Sequence, residues 1–543
     1  MRVRTVVLAT LGVLLMASSL AASPGIDVNI ISDDVFSMDE TDSPRRNQPE
    51  TALSINPRNA DIIVGGAQDF RRARELRAAC GGDRWNGFYL SIDGGVTWTN
   101  ELVPGYCTDP TMGAGSEQSV SEMFGFSTNT DPVMVFDSFG NLFYSHIAFN
   151  NNIFRTTPPS GSGVLFASTY RISDTGMSNY AKTVAVASGS GRSSDPFVVG
   201  PGFSNFDDKQ WMTADNSPGS PFFGRVYITW TKFGSQGGQS SINISHCGGD
   251  GPGAEECDGS DWSRGALVNR PVAGGLVQES FPTTAPDGTL YVAFLQFQGG
   301  FGSERPHSGV WVAKSTDGGA TFTQQKVADI RQIPSPIPPQ GNAANDGLNS
   351  FRTGTAPSIG VTSDGKVHLV WGEWDGTSAE IRYARSTNEG DSWTISANPM
   401  NDVSAGHQFF PNLVTSGNAV HVVWYDGRMD PVSTISSLDV FYNRSTDAGG
   451  TFAADERVTD VSFDPNAISR FPVFCQAFIG DYIDIDAVGS RVAAIWTDNS
   501  VVSDPLTPAE CADYITRSTD PSIQADLDDG SLDQETFVDV ISS

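Results

Sequence analysis

Apolar residues fall in short runs along this chain, and no segment sustains the period of 3.6 expected of a helix. Four kinds of run recur in fixed order. A segment that contains Pro in three of four clear units comes first: FPTTAPDG from Phe281, APSIGVTSDG from Ala356 and FPNLVTSGN from Phe410, with FIGDYIDIDAVG from Phe478 in the same place. A second run is richer in β-branched and aromatic residues: LYVAFLQF from Leu290, VHLVWGEW from Val367, AVHVVWYDG from Ala419 and RVAAIWTDN from Arg491. Such a run suits a strand covered on both faces. A third run follows a polar loop: FYL from Phe88, VWVAK from Val310, EIRYAR from Glu380, DVFYNR from Asp439 and DYITR from Asp513. Each third run leads into a turn phrase: SIDGGVTW from Ser91, STDGGATF from Ser315, STNEGDSW from Ser386, STDAGGTF from Ser445, and a degenerate STDPS from Ser518. The unit is therefore a meander of about four antiparallel strands.

Earlier stretches starting at Asn47, Asp131 and Asp208 obey the same order less cleanly, which gives units near residues 47, 130, 206, 280, 355, 408 and 478. A long chain of repeated β-meanders predicts an all-β fold, a β-propeller of four-stranded antiparallel blades. Seven blades are expected. Six is the alternative, because the last unit lacks a good turn phrase. Ring closure needs strands from both ends of the chain in one blade, and IDVNIIS from Ile26 and TFVDVISS from Thr536 both suit that place. The expected organisation is a leader over 1–23, an arm over 24–46, and a single propeller over 47–543 with loop insertions.

The turn phrase has a mechanical explanation. Its Asp accepts backbone N–H groups inside the turn, Gly supplies a positive-φ position, and the closing aromatic (Trp98, Phe322, Trp393 or Phe452) packs into its own blade. Asn388 replaces the Asp in the third phrase and can form the same turn. A repeated group of this kind is a structural turn and not an active site. With these phrases, and with NQPE from Asn47, W-x-D-x-R from Trp424 and IGDY from Ile479, the chain resembles the secreted bacterial Asp-box (BNR-repeat) proteins of the sialidase superfamily. The resemblance implies a sialidase-like propeller. It implies activity less directly, because such boxes also occur in propellers that are not sialidases.

Composition narrows the compartment and the partners. Arg2 and Arg4, an apolar run from Thr5 to Met16 and small residues around Ala21 to Ser23 read as a secretory signal peptide, hence a secreted protein, extracellular or periplasmic. No later stretch is long and apolar enough for a transmembrane span. The six cysteines all follow that leader, and local spacing suggests disulfide bonds Cys80–Cys107, Cys247–Cys257 and Cys475–Cys511. A net charge of −30 argues against nucleic acid as a partner. No calcium-loop, zinc, GxSxG, P-loop or dinucleotide spacing is present. No cofactor is expected, calcium has no motif behind it, and the metal content is unknown. A monomer is expected.

A propeller presents its site where the innermost strands begin. The resemblance implies, for a sialidase-type glycoside hydrolase, three arginines clamping a sugar carboxylate, a Tyr nucleophile activated by a Glu, and an Asp acid. The family's Phe/Tyr-Arg-Ile-Pro start is absent. Residues beside inner-strand ends are Glu50, Asp69, Asp131, Asp208, Asp426, Asp481 and Tyr482, and each is also a plausible blade-stabilising group. The catalytic candidates are Tyr482, Asp481, Glu50 and Asp69. The substrate-binding candidates are Arg71, Arg352, Arg428 and Asp426, although the three arginines sit at different offsets within their blades. Asp426 and Arg428, two apart, are also placed to pair with each other. The expected function is recognition of a carbohydrate or glycoprotein ligand, with exo-glycosidase activity of the sialidase type at the hub. The alternative is a non-catalytic propeller binding cell-surface glycans or proteins.

Overall fold

The computed structural model describes residues 27–29, 48–110, 121–149, 164–188, 206–233, 240–249, 256–269, 275–298, 308–337, 351–430, 435–467, 477–500, 502 and 534–542, apart from residues 83, 124, 125, 177 and 336. The strands form seven antiparallel sheets, a seven-bladed β-propeller. The innermost strands are Ala52–Ile55, Thr128–Phe136, Phe206–Ala214, Gly275–Thr284, Pro357–Val361, Gln408–Ser416 and Asp484–Val488. Each touches the innermost strand of the next blade, and the last touches the first, so the ring is closed.

Second strands such as Val226–Phe233 and Ala419–Asp426 are buried almost throughout, with no alternation. Neighbouring blades cover both of their faces, which is why their sequence reads as continuous apolar runs. Fourth strands such as Thr99–Leu102 and Thr394–Ile395 lie at the rim and are largely exposed. The core runs between blades. Leu276, Ala293 and Val310 of blade four pack with Ile359, Leu369 and Trp371 of blade five.

Blade seven closes the ring with both ends of the chain. Its order from the hub outward is Asp484–Val488, Arg491–Asp498, Glu535–Ser542 and Val28–Asn29. Val28 pairs with Val538, and Asn29 with Phe537. The arm over 24–46 thus supplies a blade strand. The third place, expected of DYITR from Asp513, is taken by the C-terminal strand, because that strand pairs with Arg491–Asp498 over its whole length. Asp513–Arg517, Cys475, Cys511 and the leader lie outside the described residues. Across the seam, the Asp484 carboxylate accepts the Leu53 N–H at 3.0 Å, and Asp486 accepts the Ile55 N–H at 2.7 Å. Leu53, Ile55 and Ile63 pack there with Ala493, Ile495 and Val538.

One short helix, Ala73–Cys80, interrupts the all-strand pattern between the second and third strands of blade one. It ends at the Cys80–Cys107 disulfide, and a second disulfide joins Cys247 to Cys257. The four complete turn phrases form the hairpins expected of them, and the degenerate phrase from Ser518 lies outside the described residues. In the fourth, Asp447 Oδ1 accepts the Thr451 N–H at 2.8 Å, and Ser445 Oγ accepts the Gly449 N–H at 2.9 Å. Strand direction places these hairpins on the opposite side of the ring from the starts of the innermost strands.

Candidate functional site

The innermost strands enter the ring through a recurring irregularity. In blade two, pairing skips from Thr130 to Val133; in blade three, from Asp208 to Trp211; in blade four, from Gln278 to Phe281; in blade six, from Phe409 to Asn412. The first skipped residue in each case is left-handed: Asp131 at φ 54°, Lys209 at 51°, Glu279 at 60° and Phe410 at 50°. Glu50, at 61°, holds the same place before blade one, two residues ahead of Ala52. By register, Thr355 and Tyr482 complete the set two residues before Pro357 and Asp484. A left-handed non-glycine residue costs about 1–2 kcal/mol. Five such residues stand at one register, and four of them, Glu50, Asp131, Lys209 and Glu279, bring charge to the mouth of the central channel.

Arg352, in the loop entering blade five, grips Asp481 through both carboxylate oxygens, with Nε 2.6 Å from Oδ1. Lys209 Nζ lies 3.5 Å from Asp481, 3.8 Å from Glu279, and 4.6 Å from the centre of the Tyr482 ring. Arg352 also reaches within 4.0 Å of Glu50. Glu50 accepts a hydrogen bond from Gln68 Nε2, which is shared with Asp131 Oδ1 at 3.3 Å. The loop before blade seven fits closely against Glu50. Gly480 is left-handed at φ 86°, and a Cβ there would fall 2.6 Å from the Glu50 nitrogen.

These contacts divide the carboxyl groups into two kinds. Burial, reinforced by the Asp131 charge and a hydrogen bond with Asp131, pushes Glu50 well above the usual carboxylate range. Burial beside Asp131 raises Asp208 to about 8, and burial also raises Glu279. Burial would raise Asp481 as well, but Lys209 and Arg352 outweigh it and hold the group below the ordinary value. Tyr482 is buried, donates its hydroxyl to the Pro132 carbonyl at 3.3 Å, and is raised well above 10 by burial and then by Glu50.

The mouth carries a recess open to solvent and lined by Trp211, Phe281, Phe410 and Tyr482 with Lys209, Glu279 and Asp481. Trp211 stacks on Phe281 at 4.6 Å and meets Tyr482 edge-on at 5.4 Å. Apolar ring faces with a few charged groups at one side fit the usual composition of a small-molecule site.

Of the residues expected from the sequence, Glu50, Asp131, Asp208, Asp481, Tyr482 and Arg352 meet at this mouth. Asp69–Arg71 and Asp426–Arg428 form two separate pairs, each one strand further out. Arg71 Nε is 2.7 Å from Asp69 Oδ2, and the Arg71 N–H donates to Asp69 Oδ1 at 2.9 Å. Arg428 repeats both bonds on Asp426, at 2.7 and 2.8 Å, and adds Asp402 and Asp455. Two blades thus use Asp-x-Arg alike, to fasten the chain where it leaves the second strand, which is a structural device. The three arginines each hold different carboxylates instead of sharing a target. Lys209, Glu279, Gln68 and the aromatic wall were not legible beforehand; the signal was the shared position just ahead of each first run. Among the described residues no group of three or more His, Cys, Asp or Glu side chains is arranged to hold a metal ion, and no helix is long and apolar enough to cross a membrane.

No family model matches the chain, and no curated protein matches it. Among solved structures, it is similar to the Hadza microbial sialidase Hz136, at 11% identity over 80% of this chain and 69% of that one, with a TM-score of 0.42. It is similar to an α-L-arabinanase of Penicillium chrysogenum complexed with arabinobiose, at 12% identity over 81% of this chain and 99% of that one, with a TM-score of 0.42. It is also similar to a Dyadobacter fermentans protein of unknown function, at 14% identity over 75% and 95%, with a TM-score of 0.41. At these identities the chemistry of the hub rests on its own residues.

Proposed function

We propose that the hub binds a glycan and hydrolyses a glycosidic bond, in a protein exported to an oxidising compartment. The carrying observation is two carboxyl groups in opposite surroundings at one mouth: Asp481 lines the aromatic-walled recess, gripped by Arg352 and near Lys209, and Glu50 lies behind it within 4.0 Å of Arg352, buried beside Asp131. Two carboxyl groups whose surroundings push them apart are the usual acid and base assignments of such a reaction. Glu50, raised by burial and by Asp131, gives its proton to the leaving oxygen as the bond from the anomeric carbon breaks. Asp481, held ionised, stabilises positive charge on that carbon while water adds. The proton released by the water returns to the Glu50 carboxylate, restoring the acid. The half-buried rings of Trp211 and Phe281 offer apolar surface for sugar C–H groups.

This assignment departs from the sialidase-type roles for the same residues. A phenol as buried as Tyr482, and raised further by Glu50, is a poor nucleophile; a carboxyl raised as Glu50 is suits an acid better than a base, and one held low as Asp481 is suits an acid less. Export is supported by the leader-like N-terminus and by the two disulfides. One observation favours a second reading, non-catalytic binding of a glycan: Asp481 is already engaged by two cations. Chromogenic glycosides with wild type, Glu50→Gln and Asp481→Asn decide between them. Turnover abolished in both variants, with thermal melts intact, supports hydrolysis. Retained glycan binding without turnover on any glycoside supports the second reading, and no glycan binding at all sinks both.

A further inference from the structure

Every blade has one residue at the same place ahead of its innermost strand. Around the ring these residues read Glu50, Asp131, Lys209, Glu279, Thr355, Phe410 and Tyr482. Lys209 separates Asp131 from Glu279, so like charges stand side by side once, at Glu50 and Asp131. The innermost strands of blades one and two touch, and both residues are left-handed, at φ 61° and 54°.

This adjacency brings the two carboxyl groups onto one amide. Gln68 Nε2 donates to Glu50 Oε2 and lies 3.3 Å from Asp131 Oδ1. Thr130 Oγ1 donates to the same Asp131 oxygen at 2.6 Å, and Gln210 Nε2 donates to the Asp131 carbonyl. Glu50 and Gln68 are 3% and 5% exposed. The donors fix the two groups in place, but all of them are neutral. Among the described residues, the charged and titratable groups acting on Glu50 besides Asp131 are Lys209 of blade three, Arg352 of the loop entering blade five, and Asp481 and Tyr482 of the loop entering blade seven. Those acting on Asp131 include Asp208 and Lys209 of blade three and Glu279 of blade four. Arg352 stands closer to Asp481 than to Glu50, at 2.6 against 4.0 Å, and Lys209 lies between Asp481 and Glu279. Two carboxyl groups that meet at a buried site with neutral donors carry a single charge, because ionising both sets like charges against each other away from water.

We infer that Glu50 and Asp131 hold one proton between them, and that Asp131 and Gln68 are positioning residues that keep it at the mouth. When that proton passes to the glycosidic oxygen, two carboxylates are left facing each other. Their repulsion draws the proton of the attacking water back to Glu50. This consequence for turnover rests on the hydrolytic reading of the hub; the shared proton itself does not.

Infrared spectra of the full-length protein, recorded over a range of pH and subtracted from those of the matching Glu50→Gln protein, isolate the protonated Glu50 band. Wild type is expected to keep that band well above the pH at which an ordinary glutamate ionises. Asp131→Asn is expected to lower its midpoint by about one pH unit or more, because a like charge is removed. Gln68→Met is expected to raise it, because a donor to the charged form is removed. The alkaline limb of the pH–rate profile is expected to move with the band, a shift that a merely structural role would not produce. A wild-type band that vanishes in the ordinary glutamate range overturns the inference, and so do midpoints unchanged in the variants. If Asp131→Asn does not fold, Gln68→Met decides by the same criterion. Midpoints that shift as expected without turnover of any glycoside leave the shared proton standing and defeat the hydrolytic reading alone.

Discussion

Arg352 Nε donates to Asp481 Oδ1 at 2.6 Å, joining the loop that enters blade five to the loop that enters blade seven. The pair spans the mouth of the channel, and its arginine is the half-exposed member, at 54%. Much of its electrostatic strength is therefore screened by solvent, and its value lies in fixing where the Asp481 charge sits. Arg352→Ala is expected to lower kcat/KM on the preferred glycoside by about 10–100-fold with little change in melting temperature. Steady-state kinetics beside a thermal melt check this, and a variant with undiminished turnover would remove Arg352 from the site.

On the hydrolytic reading, the raised Glu50 is expected to set the pH dependence of turnover. Its acid form is the working form, so activity is present below its folded-state pKa and lost as pH rises through it. A pH–rate profile is expected to hold on the acid side into a range where an ordinary glutamate is already ionised, then fall. Glu50→Gln should lower kcat by about 10²–10⁴-fold and abolish the alkaline fall. An alkaline limb persisting in that variant would assign the titration to another group.

Asp208 makes a separate statement about stability. Its folded pKa of about 8 lies above the ordinary 3.8, so the folded protein binds more protons than the unfolded chain between those values. The stabilisation is fully present below the ordinary value and disappears as pH rises toward 8. Asp208→Asn, which keeps an oxygen for the Lys209 N–H, is expected to flatten the decline of melting temperature between pH 5 and pH 8. Parallel melts across that range test it; equal slopes in both proteins would show that Asp208 is not the titrating group.

Gly480 has no room for a side chain, because its Cβ would meet the backbone of Glu50. Gly480→Ala combines that clash with a left-handed φ, and a loss of about 2–3 kcal/mol or more is expected. Denaturant unfolding measures it directly. A near-neutral result would mean that the two loops are free to separate.

The fourth hairpin carries the reverse case. Ala448 is left-handed at φ 53°, where the first two hairpins have Gly94 and Gly318. Ala448→Gly is expected to stabilise by roughly 0.5–1 kcal/mol, visible as a higher denaturation midpoint with unchanged slope.

Much of the ring could be read from residue order alone. Asp-Gly turns, the Ser-x-Asp-x-Gly phrases and the apolar second runs are local signals, and each states its structure within about eight residues. Both closing strands were legible for the same reason. The third place of blade seven was not legible from residue order, because DYITR and the C-terminal strand both suited it and only pairing along Arg491–Asp498, made by the C-terminal strand, decides it. The site was half legible. Glu50, Asp131, Asp208, Asp481, Tyr482 and Arg352 stand beside strand starts and could be picked out. Asp69–Arg71 and Asp426–Arg428 stand on the same side of the ring, since Gln408 pairs with Asp426, and looked equally good. Lys209 and Glu279 were missed because their direction depends on a left-handed kink that neither residue type announces.

The pairing of Val28 with Val538 has a consequence for how the molecule comes into being. A chain emerging from the ribosome presents its first strand hundreds of residues before the partner exists, and blade one meanwhile has an uncovered flank. Closing so long a loop carries an entropic penalty that is recovered only once the tail docks. Assembly of the last blade is thus the natural slow event, and helpers that shield open sheet edges have their longest opportunity just before it.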